Sequence, residues 1–383
     1  MLQAVSKNGQ LVTLALLSKS KISQLKQENS PFYCPICKSK LVIKAGTKMI
    51  PHFAHRTTEN CPNHVGGEGV YHERGKLDLF TLFKSLNLNV KLECFFPEIK
   101  QRADLLIQFK KKRLAIEYQC ATIPVSEIVS RTKGYQSIGV TPLWILGGNR
   151  MRRLGKQGLF LTPTEQYFLH QFSNDPVAKI YFYCPNARQF ARFDLACLTG
   201  YKRAIGKLEF YPSASIHLEN FFEKKLINHL THEWLLEKRR FRLNIPQKLN
   251  PREQKFREWL YINQLFPSLL SSWVGLPVNG QWKMKVSAWT WQTYLCYDFL
   301  NHFPQFTVNQ LNRYMRTFIN HQDQYPLLQQ VVDPISDYLA YFIKLGKMTR
   351  IDDQYIFHGS INQHTSIEEA LRSDRLLHNK LIQ

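Results

Sequence analysis

The chain has 383 residues, with 51 lysines and arginines against 29 aspartates and glutamates, which gives a formal net charge of +22. A hydrophobic content of 44%, with 13% aromatic residues, excludes a disordered tail. The length predicts two or three domains, each able to bury a core of its own. So large a positive excess favours an anionic partner, most often a nucleic acid, over a merely basic soluble surface.

Cysteine usage and hydropathy bear on the compartment. No apolar run reaches the roughly 18–20 residues that a membrane helix needs. Residues 11–17 are apolar but lack a small-residue cleavage signature, so we do not expect a signal peptide. The eight cysteines are scattered and do not resemble a disulfide framework. The sequence therefore predicts a cytoplasmic protein with reduced thiols and no membrane span.

Residues 1–65 form the first predicted region, with a strand, a turn and a strand over residues 32–48. Two cysteines three positions apart are followed, after 14 intervening residues, by two histidines at the same spacing: Cys34, Cys37, His52 and His55. Two thiolates and two imidazoles can close a tetrahedral zinc site, which would stabilise a segment too short to fold alone. Cys61 or His64 could replace one ligand. The alternative is a metal-free hairpin with ordinary thiols.

Residues 66–150 form the second predicted region, which could extend to about residue 195. A glycine-rich joint at residues 66–69 precedes a helix whose apolar residues recur at helical spacing. The elements expected after it are three strands, a helix and a strand, near residues 90–95, 102–109, 114–120, 124–138 and 142–146. The predicted core is thus a βββαβ unit.

Acidic residues on two of these strands suggest a second metal site. Glu117 and Gln119 alternate along one strand and face the same side, and Asp104 lies on the preceding hairpin strand. Carboxylate oxygens at such a place suit Mg²⁺ or Mn²⁺, which could activate water and neutralise a scissile phosphate. The alternative is a solvated hairpin with two surface acids.

The flanking helices carry polar side chains at matching intervals. Glu68, His72 and Lys76 are spaced four apart and would share one helix face, where Glu68 could complete the metal cluster and Lys76 could position a phosphate or the attacking water. Arg131 and Tyr135 form a similar pair, suited to a DNA backbone. The alternatives are a glutamate favoured by the helix dipole, a solvated lysine and a core tyrosine.

Residues 196–383 form a basic, aromatic-rich and mostly helical region. Before it, a helix is expected near residues 163–172 and a hairpin near residues 178–184 and 189–194. Near the end, helices at residues 287–302, 308–319 and 335–345 precede a hairpin. This order fits either a winged-helix module or a plain helical bundle with a separate hairpin.

Taken together, these motifs are similar to those of the competence protein CoiA family. The motifs that carry the resemblance lie within residues 30–150 and are Phe32-Tyr33-Cys34-Pro35-Ile36-Cys37, Pro51-His52-Phe53-Ala54-His55, Glu68 with His72 and Lys76, Arg102-Ala103-Asp104, Glu117-Tyr118-Gln119, Arg131 with Tyr135, and Trp144-Ile145-Leu146. The resemblance implies an α/β (α+β) fold with a restriction-endonuclease-like, PD-(D/E)XK core behind an N-terminal zinc-knuckle-like segment. It further implies a cytoplasmic factor of natural transformation that acts on incoming single-stranded DNA during recombination.

By this resemblance, Asp104 and Glu117 would be metal ligands, completed by Glu68. Gln119 stands where the nuclease pattern usually has a lysine. Water activation would then fall to Lys76, or the fold would bind DNA with little cleavage.

Two functional hypotheses follow. The first is a metal-dependent deoxyribonuclease of the PD-(D/E)XK type that uses the acidic cluster. The second is a module that binds single-stranded or branched DNA and helps to load a recombinase, with recombinase or single-strand-binding proteins as partners, since a cationic groove with stacking rings is the usual way to hold single strands. The basic candidates, besides the run at residues 238–240, are Lys110, Lys111, Lys112, Arg113, Arg131, Arg150, Arg152 and Arg153, with Tyr135.

Overall fold

The computed structural model describes residues 1–46, 49–56, 61, 69–172, 175, 177–200, 202–224, 231–244, 248–320, 325–328 and 332–383. The chain divides into two compact units. The first contains Met1–Met151, Ile180–Arg192 and Glu209–Glu223, and the second contains Arg152–Lys179, Phe193–Leu208 and Lys224–Gln383. The three-part division at residues 1–65, 66–150 and 196–383 stays a prediction. No helix in the described ranges has the length and apolarity needed to cross a bilayer.

The regular elements are numbered in chain order. The strands are β1 (Gln3–Ser6), β2 (Leu11–Thr13), β3 (Phe32–Tyr33), β4 (Lys40–Lys44), β5 (His52–His55), β6 (Asn89–Phe96), β7 (Gln101–Phe109), β8 (Lys112–Gln119), β9 (Val140–Gly147), β10 (Gly158–Phe160), β11 (Lys179–Cys184), β12 (Gln189–Leu198), β13 (Arg203–Pro212), β14 (Gln305–Thr307), β15 (Met348–Ile351) and β16 (Gln354–Phe357). The helices are α1 (Lys19–Gln27), α2 (Val70–Ser85), α3 (Val125–Ser137), α4 (Pro163–Gln166), α5 (Glu219–Phe222), α6 (His232–Leu243), α7 (Pro251–Ile262), α8 (Ala288–Thr293), α9 (Val308–Met315), α10 (Pro334–Lys344) and α11 (Ile367–Ile382).

The first unit begins with a five-stranded sheet in the order β2-β1-β3-β4-β5. All its pairings are antiparallel. Its inner face and α1 enclose a small apolar core that includes Leu14, Ile22, Phe32 and Phe53. The N-terminal region is therefore a folded sheet with a core of its own, and the cysteine pair lies at the turn between β3 and β4.

The predicted βββαβ core is confirmed in this unit, as is the mixed α/β fold class. Strands β6, β7 and β8 form an antiparallel meander, and β9 adds to β8 in parallel after the crossover through α3. Strand β11 then pairs in parallel with β9 through residues 181–183. This alternation of meander and crossover is the arrangement expected of a nuclease-like domain, and it places the ends of β7 and β8 beside α2.

Helix α2 packs closely on the sheet because of one glycine. A Cβ atom at Gly75 would come within 2.1 Å of the Tyr118 ring on β8. The absence of a side chain at Gly75 lets the helix approach the strand, and it brings the neighbouring side chains of α2 to the sheet.

The second unit is built around an aromatic core that includes Trp234, Trp291, Tyr338 and Phe342. Near its end, α8 continues as a π-helical turn, Tyr294–Leu300, and is followed by β14, α9, α10 and the β15–β16 hairpin. The three strands lie in the order β14-β16-β15. A strand that follows the first helix and pairs with the hairpin is the arrangement of winged-helix modules, which favours that interpretation over a plain bundle.

The helix expected near residues 163–172 is shorter in the structure and ends at Gln166. Thr162 and Glu165 form a capping box at its start, and residues beyond its end instead pair with another segment, through a bridge between His170 and Lys179. The second strand of the following hairpin continues to Leu198, beyond the predicted end.

Candidate metal centre and nuclease-like site

Four potential ligands converge at one end of the N-terminal sheet. The turn between β3 and β4 supplies Cys34 and Cys37, strand β5 supplies His55, and Cys61 follows it. Their ligand atoms all lie within 4.8 Å of one another. Three sulfurs and one imidazole nitrogen are a donor set typical of structural zinc sites, so the residues present fit the ion.

His52, predicted as the fourth ligand, is not part of this group. Its Nδ1 donates to the carbonyl of Ile50 at 2.9 Å. The expectation that a loop or helical turn would bring both histidines to one metal was wrong, because they lie three apart on strand β5 and therefore face opposite sides. Cys61, considered as a substitute, takes that position, and His64 lies outside the described residues.

The two cysteines of the pair differ in their electrostatics. Burial raises the pKa of the Cys34 thiol to about 11. Burial also acts to raise the pKa of Cys37, but hydrogen bonds with Ser39 and His55 lower it to about 6. Zinc binds thiolates, so its binding would release the Cys34 proton and tie the turn to β5.

A second polar cluster lies where α2 meets the sheet. The Nε2 of His72 is 3.6 Å from one oxygen of Asp104, and the Nζ of Lys76 is 3.9 Å from the other. The backbone N–H of Tyr118 donates to the same carboxylate at 2.9 Å. The structure therefore brings His72, Lys76 and Asp104 together. The side chains of His72 and Asp104 keep 14% and 13% exposure, so both remain accessible to a ligand.

Glu93 is a member of this cluster that sequence reasoning missed. Its carboxylate accepts from Lys76 Nζ at 2.9 Å and from the backbone N–H groups of Leu2 and Gln3 at 3.0 and 3.2 Å. Lys76 is completely buried, and it lies 2.9 Å from Glu93 but 3.9 Å from Asp104 and 4.0 Å from Glu73. The sequence did contain a signal for Glu93, since it is the one acid within a largely apolar strand that follows a lysine-containing helix.

The backbone of Glu93 is unusual. Its φ of +49° is in the left-handed region, which costs a residue with a side chain about 1 kcal/mol or more. Such strain persists when surrounding contacts compensate for it, and the three hydrogen bonds to the Glu93 carboxylate do so here.

Glu117 lies on β8, next to the strand β7 that carries Asp104, and both of its carboxylate oxygens accept hydrogen bonds. Tyr135 donates to one, and Arg131 donates to the other at 2.5 Å. Burial raises the pKa of Glu117 to about 7; Arg131 opposes this effect, and the charge of Asp104 adds to it. Arg131 and Tyr135, which we expected to face DNA, instead hold this carboxylate, and Tyr135 is fully buried.

The predicted magnesium or manganese site fits only in part. Asp104 offers an accessible carboxylate of the right chemistry. To bind the metal, Glu117 would have to break its hydrogen bonds with Arg131 and Tyr135, and Glu68 lies outside the described residues.

Gln119, at the position of the usual lysine, donates its side-chain amide to the carbonyl of Ala121. Across the described ranges, the group of three or more potential ligands that comes together is the cysteine–histidine group, without Asp104 or Glu117.

The remaining basic candidates lie at several places. Four are exposed at the β7–β8 turn and the start of β8: Lys110, Lys111, Lys112 and Arg113. Arg150 donates to the carbonyl of Ala121 at 3.0 Å. In the second unit, Arg152 pairs with Glu165 at 2.9 Å, and Arg153 is exposed. Whether these side chains bind DNA stays a prediction.

Three models of known protein families match successive parts of the chain. Residues 14–64, 68–226 and 230–371 match the family models for the N-terminal domain, the nuclease-like domain and the C-terminal domain of competence protein CoiA. The chain is 29% identical to the competence protein CoiA of Bacillus subtilis (strain 168) over 286 residues, which cover 73% of this chain and 74% of that protein. No solved structure matches the chain.

We expect the purified protein to contain equimolar zinc and to lose it in Cys61→Ser and His55→Ala. His52→Ala is the matched control, since it removes an imidazole from the same strand without touching the ligand group, and it should retain zinc. Elemental analysis after chelator-free purification measures both. Zinc lost in His52→Ala but kept in Cys61→Ser would contradict this ligand set.

Glu93→Ala should lower the free energy of unfolding by about 3 kcal/mol, because it leaves the buried Lys76 without its main partner. Chemical denaturation measures the change. The double variant Lys76→Met with Glu93→Leu, which removes both charges, should recover part of the loss. A Glu93→Ala variant as stable as the wild type would show that the pair is dispensable.

Glu117→Gln should remove a pH dependence of stability. The unfolded chain releases this proton near its ordinary pKa of 4.5, whereas the folded protein keeps it up to about 7. The wild type should therefore lose stability relative to the variant as the pH rises through this window, by up to about 1.4 kcal/mol per unit. Denaturation at several pH values tests this, with Glu98→Gln, in the exposed turn after β6, as the control that should keep the wild-type dependence. A constant difference between wild type and Glu117→Gln would refute it.

Proposed function

The chain belongs to the competence protein CoiA family, and on that basis we propose that it acts in the cytoplasm on incoming single-stranded DNA during natural transformation. The match to all three domains of the family supports a role in competence. The net charge of +22 supports a polyanionic substrate. The observation that carries the proposal is the meeting of His72, Lys76 and Asp104 on the nuclease-like core.

One form of the activity is hydrolysis of a phosphodiester bond. Asp104 is the accessible carboxylate, and His72 beside it can donate a hydrogen bond to a phosphate oxygen. Lys76 is buried, so it acts by balancing the charges of Glu93 and Asp104. A Mg²⁺ or Mn²⁺ ion held by Asp104 would supply a hydroxide nucleophile and neutralise phosphate charge.

The second form is binding with little cleavage. Both oxygens of Glu117 are engaged by Arg131 and Tyr135, and Gln119 stands at the position of the usual lysine. These two features favour a nuclease fold that holds single-stranded DNA and passes it to a recombinase. Contacts with a recombinase or a single-strand-binding protein belong to this form of the proposal.

One experiment separates the two forms. Cleavage and binding are measured on single-stranded, duplex, flapped and branched DNA, with Mg²⁺ or Mn²⁺ and across salt concentrations, for the wild type, Asp104→Asn and the control Glu98→Gln. Hydrolysis predicts metal-dependent cutting that falls on the order of 100-fold in Asp104→Asn alone. Binding without cleavage predicts equal affinity and no cutting in all three. DNA affinity that is absent, or unchanged by salt, would overturn the proposal, because phosphate contacts must weaken as salt rises.

A further inference from the structure

The second unit contains an open groove of about 690 Å³. Of the basic candidates drawn from the sequence, Arg240 of the run at residues 238–240 lines it. Its walls are the start of β13, the C-terminal half of α6, the first turns of α7 and the segment leading into α8. Seven basic side chains line it: Lys202, Arg203, Arg240, Lys248, Arg252, Arg257 and Lys285. Among the described residues that line it, the acids are Glu237 and Glu253, so these residues carry a local excess of five positive charges.

The two acids are occupied by arginines of the groove itself. Arg203 donates to both oxygens of Glu237, at 2.7 and 2.6 Å, and Arg257 pairs with Glu253 at 3.0 Å. These contacts neutralise the acids and hold the two arginines in place. Arg240 also approaches Glu237, at the longer distance of 3.7 Å. Lys202, Arg240 and Lys248 are all exposed, so an external anion can reach them.

Aromatic rings form part of the same surface. The partly exposed Phe241 stacks on the buried Trp289 with ring centres 4.1 Å apart and planes 3° from parallel, and both residues line the groove. A smaller cavity of about 160 Å³ shares Gly200, Arg252, Lys285 and Val286 with the groove. Tyr167 and Tyr325 line that cavity and stack at 4.6 Å, so aromatic surface continues beyond the groove.

We propose that this groove binds single-stranded nucleic acid, with its lysines and arginines on the backbone phosphates and its rings against the bases. A polyanion alone would account for the charge, but an acidic peptide offers few planar groups for the rings. A duplex has its base faces stacked internally, so it cannot use them. A single strand presents phosphates and base faces together, so it can contact the basic side chains and the aromatic rings of the groove at the same time.

The groove also settles the role of the basic run at residues 238–240. Lys238 is fully buried and pairs with Asp374 at 3.2 Å, so it supports the fold. Arg240 is exposed and lines the groove. Within this run, nucleic-acid contact is thus assigned to Arg240.

The assignment rests on the proposed function for the identity of the strand, but its residues are separate from the nuclease-like site. The test uses the full-length protein and a labelled oligothymidylate longer than about 16 nucleotides, with affinity measured at several salt concentrations. The triple variant Arg240→Ala, Lys248→Ala and Lys285→Ala should bind more weakly, and the slope of log affinity against log salt should be shallower by about 2. Phe241→Leu should weaken binding by about tenfold and leave the slope unchanged.

Arg372→Ala with Arg375→Ala, on the exposed side of α11 and outside the groove, is the matched control and should bind as the wild type does. Thermal melting checks that each variant is folded. The triple variant alters no fully buried side chain, so it can decide the matter if Phe241→Leu is unstable. Unchanged affinity and slope in the triple variant would refute the assignment of nucleic-acid binding to this groove and leave the proposed function intact. No binding by the wild type would overturn both. If polyglutamate binds as tightly as DNA, and Phe241→Leu does not weaken that binding, the proposal of a nucleic-acid ligand is wrong and an acidic polypeptide is the ligand instead.

Discussion

A completely buried ammonium group organises the first unit. Lys76 lies between α2 and the sheet, where an unpaired charge would be very costly. Its pairing with Glu93 removes that cost, and the same carboxylate receives the backbone of Leu2 and Gln3. One carboxylate thus connects the N-terminal sheet, the helix and the nuclease-like sheet, and it brings the lysine close to Asp104.

The neighbouring carboxylates illustrate how burial changes what an acid can do. Asp104 accepts a backbone N–H and lies beside His72 while keeping some exposure, so it can still meet a ligand. Glu117 is enclosed with Arg131 and Tyr135, and burial raises its pKa to about 7, so its charged form is less favourable than that of an exposed carboxylate. Of these two acids on adjoining strands, Asp104 can therefore bind a ligand as it stands. Glu117 can do so only if its hydrogen bonds with Arg131 and Tyr135 break, and catalysis that needs both carboxylates depends on this.

The positive charge of the chain is divided among several roles. Arg131 and Lys238 are consumed by internal ion pairs in their respective units. Lys110 and Lys111 are exposed at a strand turn, and Lys248 belongs to a concave surface that also presents aromatic rings. Net charge alone indicates an anionic partner, whereas concavity and neighbouring rings distinguish a binding surface from a solvated one.

Local patterns were enough to predict the nuclease-like core of the first unit. Helical spacing from Val70 and the alternating strands that follow predict the βββαβ core, because those periodicities depend only on which side chains must be buried. The same patterns predict that His72, Lys76 and Asp104 face one region. Cys34 and Cys37 were recognisable because a short spacing between thiols has few other uses.

What the tertiary structure alone decided concerns partners that are distant in sequence. The choice of Cys61 over His52 depends on which face of β5 each histidine occupies, and that is set by the register of the sheet. The pairing of Lys76 with Glu93 joins α2 to β6, and no local pattern signals the left-handed backbone at Glu93. The basic groove joins segments from residues 199 to 290, and such convergence is fixed by packing, since charge in a linear sequence carries no information about concavity.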